Sequence, residues 1–74
     1  MVDNMMPLTL AEIGEEAVIK KIGGKQEVKA HLETLGFVVG GAVTVINAIG
    51  GNVIVHVKDA RIAISKEMAQ KIMI

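Results

Sequence analysis

The sequence predicts a small, mainly β domain. About five short strands close as a small barrel, with small helices at the corners and one longer helix inserted between the first two strands. Three observations predict it. The chain has 74 residues, enough for one domain. An amphipathic helix pattern runs from Gln26 to Leu35 and stops at Gly36. Beyond Gly40-Gly41, valines and isoleucines recur at every second position in short runs separated by turn residues. Strands this short leave unpaired edges, and closure removes them.

The corner Leu35-Gly36-Phe37-Val38-Val39-Gly40-Gly41 organises the rest. Gly36 stands where a helix end favours positive φ, and Gly40 and Gly41 permit a sharp turn into the next strand. Phe37 is the only aromatic residue and can bury a large apolar area where helix and sheet meet. Leu35, Gly36, Phe37 and Gly40 are therefore the expected structural corner.

Residues 1–6 read as a flexible leader, and 7–74 as a single domain. From Pro7 to Gly14, Thr9 is expected to cap a short turn. Glu12 completes a capping box, and Leu8 and Ile13 form a hydrophobic staple. Glu15 to Ile22 reads as the first strand, with Ala17 and Ile19 on one face. Ile22 falls out of phase, so a bulge or bend is expected near Lys20-Lys21. In the helix, Val28, Leu32 and Leu35 form the core stripe, while Lys29 and Glu33 lie outside. Ala42–Ala48 and Asn52–Val57 form a hairpin around Ile49-Gly50-Gly51, with Val43, Val45, Val53, Val55 and Val57 inward. Thr44, Ile46, Ile54 and His56 then face out. Ile46 and Ile54 are the apolar residues expected to be exposed, as a surface irregularity or as part of an interface. Lys58-Asp59-Ala60 turns into a strand over Arg61–Ile64, Ser65 caps a helix over Lys66–Lys71, and Ile72–Ile74 pairs as a last short strand. The sum is an SH3-like barrel.

Composition narrows function. Eight basic and eight acidic side chains cancel, so the basic excess of a general nucleic-acid binder is missing, as are stacking aromatics. No cysteine is available for a disulfide or a thiolate metal site. No apolar run approaches the ~20 residues that span a bilayer, and no direct membrane insertion is expected. Hydrophobic residues make up 51% of the chain, more than so small a domain readily buries. Some are expected to face solvent or a partner, and a homo-oligomer is one outlet for them.

No chemistry-bearing constellation emerges. Gly23-Gly24-Lys25 superficially resembles a phosphate loop, but Ile19 and Gln26 stand where that loop requires glycine and Ser or Thr. Glu15-Glu16 reads as a solvated turn. His31 and His56 lie on different elements, with no carboxylate at ligand spacing to either. The chain is not expected to be an enzyme or to need a cofactor.

Four stretches carry a family resemblance: Met6-Pro7-Leu8-Thr9-Leu10-Ala11-Glu12, Ile22-Gly23-Gly24, Leu32 to Gly40, and Ala60-Arg61-Ile62-Ala63-Ile64-Ser65. In order and spacing they resemble the FeoA family, small cytosolic proteins of bacterial ferrous-iron uptake. Val39 departs from the proline usual at the corner, Ala30 and His31 from the arginine frequent on the helix, and Asp59-Ala60 from a glycine common at that turn. A related SH3-like domain ends some iron-dependent repressors, but this chain has no room for a helix-turn-helix.

The resemblance implies a cytoplasmic accessory protein that acts by protein–protein interaction with a FeoB-type GTP-binding iron permease. Candidate contacts are Ile46, Ile54 and His56 on the outer hairpin face, with Lys20 and Lys21 near the bulge. The alternative is a metal-responsive or metal-carrying domain that binds a transition metal ion directly, since ferrous iron accepts imidazole and carboxylate ligands.

Overall fold

In a computed structural model, which describes residues 5–74, the elements follow the expected order. Strands β1 (Glu16–Val18) and β2 (Lys21–Ile22) precede helix α1 (Gln26–Leu35). Strands β3 (Ala42–Ile49), β4 (Asn52–Val57) and β5 (Ala60–Ser65) follow as a meander, then helix α2 (Lys66–Ala69) and β6 (Ile72–Met73). All pairing is antiparallel. One sheet has the order β1-β3-β4-β5, and a second, two-stranded sheet pairs β2 with β6. The expected barrel is therefore not closed by continuous strand pairing.

The reason lies in the first strand, which divides at Ile19-Lys20 and serves both sheets. Ile19 exchanges bonds with the corner, its N–H donating to Gly41 (2.9 Å) and its carbonyl accepting from Gly40 (2.8 Å). The Lys20 N–H then donates to the Met73 carbonyl at 2.7 Å, while Lys21 is the register partner of Met73. Two residues thus oppose one, which is a β-bulge at the expected place. The bulge changes the side-chain phase, so Ile19 and Ile22 are both buried although three positions apart.

The corner ends α1 with a Schellman motif. Gly36 has φ 107°, its N–H donates to Glu33 O (3.0 Å), and the Phe37 N–H reaches back to Leu32 O (2.9 Å). Leu32 and Phe37, the pair whose contact accompanies this motif, are both 0% exposed. The aliphatic stem of Lys58, from the β4–β5 turn, covers Gly36. All five expected strand-core valines are buried.

The next turn runs from Val38 to Gly41, closed by a 2.9 Å bond from the Gly41 N–H to the Val38 carbonyl. Gly40 has φ 90°, the conformation of the third residue of a type II turn. Val39 occupies the second position, where proline is pre-organised, and its N–H donates to no backbone acceptor among the described residues. Val39→Pro is therefore expected to stabilise the fold by about 0.4–1 kcal/mol through the unfolded chain. Thermal melts followed by far-UV circular dichroism should show a rise of about 2–8 °C.

Several local expectations give way to tertiary structure. The N-terminal turn is a three-residue 3-10 helix, Leu8–Leu10, preceded by Pro7; Thr9 lies inside it and caps nothing. Pro7 stands at the N-cap and starts the turn two residues earlier than Thr9 would. Ile13 is 61% exposed, so the staple does not form. Instead the chain turns at Gly14 (φ 90°), whose N–H donates to Val45 O. The β3–β4 register shifts between Val45 and Asn47, a second bulge that places Ile46 between regular pairs. In the β4–β5 turn, Lys58 and Asp59 both have positive φ, as a two-residue hairpin turn demands even without glycine.

At the C-terminal end, Ser65 caps α2 as expected, accepting from the Met68 N–H at 3.2 Å. The helix ends at Ala69, two residues earlier than its pattern suggested. Met6 and Ile74 then exchange backbone bonds of 2.9 and 2.8 Å. The leader expected over residues 1–6 lies largely outside the described residues.

Candidate functional site

The sequence-based contact residues separate into two places. On the outer face of the four-stranded sheet, the register aligns Glu16, Thr44, His56 and Arg61 across successive strands. The neighbouring row holds Asn47, Ile54 and Ala63. His56 is exposed, but Ile46 and Ile54 are only partly exposed. The expectation that these two are the apolar residues left exposed is corrected. Larger exposures fall on Leu10 (65%), Val39 (64%), Ile13 (61%) and Ile49 (57%). The bulge at Ile46 breaks the simple alternation, and cross-strand neighbours flank Ile54 on both sides.

Lys20 and Lys21 stand elsewhere. With Ile22 they form one wall of an open cleft of about 550 Å³. Lys29 and Glu33 of α1 form another wall, and Val38 and Val39 of the corner complete it. Each wall has a local cause. The bulge places consecutive lysines at the end of the first strand. Lys29 and Glu33 are four residues apart, which sets them on one face of α1. The type II turn projects Val39 outward. None of Ile46, Ile54 or His56 borders this cleft. Sequence reasoning missed Lys29, Glu33, Val38 and Val39 as site residues. Their separate signals were visible, but only the tertiary fold sets α1 across one cleft from the Lys20–Ile22 segment.

A smaller groove of about 190 Å³ is bordered by Met6, Ala11, Glu12, Glu15, Glu16, Ala17 and Ile74. Its carboxylates do not form a metal cage. Among the described residues no three His, Cys, Asp or Glu side chains are placed to hold a metal ion. His31 is exposed on α1 and His56 on β4, so the two imidazoles remain on separate elements. Among the described residues no helix is long and apolar enough to cross a membrane.

Comparison with known proteins agrees with this architecture. A family model described as the FeoA domain matches residues 6–74. The chain belongs to the FeoA family. It is 37% identical over 70 residues to the protein assigned as Fe(2+) transport protein A in Methanocaldococcus jannaschii, covering 95% of this chain and 85% of that relative. A crystal structure described as an iron uptake regulatory protein, FeoA, superposes with a TM-score of 0.85 at 26% identity, covering 93% of this chain and 92% of the other. The Stenotrophomonas maltophilia FeoA, crystallised with zinc and described as a procaryotic SH3 domain protein, gives a TM-score of 0.78 at 23% identity over 90% of this chain and 86% of its own. The fold of this FeoA-family chain is thus SH3-like, with its sheet left open.

Proposed function

We propose that this FeoA-family chain is a cytoplasmic accessory protein of ferrous iron uptake that acts by binding a FeoB-type GTP-binding iron permease. The observation that carries the reading is the family match over residues 6–74, reinforced by 37% identity to a relative assigned as Fe(2+) transport protein A. The surface is consistent with a binding role. Aliphatic side chains stand exposed at Leu10, Ile13, Val39 and Ile49, and a lysine-walled cleft opens beside one of them. A few such anchors suffice for a specific protein contact. Candidate contacts are the Ile46, Ile54 and His56 face and the Lys20–Lys21 end.

The test is an amide-shift titration of the isotopically labelled chain with the cytosolic domain of a FeoB-type permease, repeated with the full-length permease in detergent. A contiguous patch of shifted amides that saturates with added partner is expected. Unchanged spectra with both preparations would sink the reading.

A further inference from the structure

We propose that the cleft between β2, α1 and the Val38–Gly41 turn receives an extended acidic segment of a partner protein, with an aliphatic side chain seated against Val39. This deepens the interaction reading above and rests on it for the identity of the partner.

The argument is one of charge and surface. Lys20 and Lys21 are exposed, and Lys29 is partly exposed on the facing helix. Three ammonium groups therefore line a single cavity with one carboxylate, Glu33, in a chain whose formal net charge is zero. That local excess attracts anionic side chains, steers their approach and disfavours cationic ones. The remaining walls are aliphatic: Ile22 is buried, Val38 is half-buried and Val39 is 64% exposed. A valine so exposed beside three cations suits a segment in which carboxylates alternate with aliphatic residues, since each side chain then meets its complement.

A nucleic acid fits this lining less well. Base recognition on single strands uses stacking aromatics, and the only aromatic residue, Phe37, is fully buried. Glu33 also opposes a dense row of phosphates. An anionic lipid surface is flat, whereas this lining is concave.

The test titrates the labelled full chain with a synthetic peptide alternating glutamate and leucine, and separately with the permease cytosolic domain. The peptide should shift amides at Lys20–Ile22, Lys29–Glu33 and Val38–Val39. Lys29→Glu, and Lys20→Glu with Lys21→Glu, should weaken both ligands at least about tenfold. Lys66→Glu, at an exposed position of α2 and outside the cleft, makes the same single charge change as Lys29→Glu and should alter binding less than about twofold. Retained amide dispersion shows that each variant is folded.

Several results overturn the proposal: no shifts with the peptide, equal losses for Lys29→Glu and Lys66→Glu, or permease binding that ignores the cleft lysines. Tighter, lysine-dependent binding of an oligonucleotide or an anionic phospholipid vesicle than of the peptide also overturns it. If the permease domain binds and the lysine variants bind it equally well, the cleft assignment fails and the permease reading stands. If the peptide maps to the cleft and no permease preparation binds, the cleft assignment stands and the permease reading fails.

Discussion

Replacing Phe37 with alanine is expected to lower the free energy of unfolding by about 3–5 kcal/mol. Phe37 is 0% exposed and is the largest fully buried side chain. It occupies the junction of α1 and the sheet, directly after the helix-terminating Gly36, and its backbone N–H closes the helix on Leu32. Truncation leaves a cavity that the surrounding valines cannot fill without moving the meander. For a domain of this length, total stability is on the order of 4–11 kcal/mol. The loss therefore approaches the whole margin in the lower part of that range. Chemical denaturation followed by far-UV circular dichroism is the appropriate measurement, because the chain has no Trp or Tyr to report by fluorescence. Phe37→Leu retains most of the buried surface and should cost less than half as much. A loss below about 1 kcal/mol for Phe37→Ala would show that the corner is not packed as described.

The second large effect is expected from Ile72→Ala, about 2–5 kcal/mol. Ile72 is 0% exposed on β6, opposite Ile22 of β2, itself 7% exposed. These strands have only two residues each, so little else holds the second sheet together. Lys20 N–H to Met73 O and Gly23 N–H to Lys71 O, both 2.7 Å, flank the pair. Hydrogen exchange should show protection falling first around Lys20–Gly23 and Lys71–Ile74, while the β3–β4–β5 meander stays protected longer. Lys20 and Lys21 belong to that segment, so partner affinity should fall in the same variant without any change to a cleft residue. Uniform loss of protection across both sheets would instead show that they unfold as one unit.

How much of this was legible follows from the range of each determinant. The bounds of α1 were readable because a 3.6-residue stripe and a terminating glycine are local signals. The β3–β4 hairpin was readable from the alternating valines and Gly50-Gly51. The bulge at Lys20-Lys21 was visible as a phase error between Ile19 and Ile22. The capping box at Thr9 failed because Pro7 starts the turn and the segment then bends at Gly14 to bond Val45, a partner distant in sequence. The Ile46 bulge left no comparable mark, since Ile46 fits either face of a strand.

The candidate site divides along the same line. Local pattern by itself determined that the chain is a small, mostly β domain with a helix ending at Gly36, a core of alternating valines and one aromatic at the corner. Each of these rests on side-chain period or turn chemistry within a few residues. Tertiary structure alone decided that the first strand would serve two sheets, that the barrel would stay open, and that Lys20, Lys21 and Lys29 would share one cleft while Ile54 and His56 face another surface. Those outcomes depend on the pairing of β6 with β2 and on where α1 settles on the core, and burying Ile22, Leu32, Phe37 and Ile72 in one cluster is what drives them.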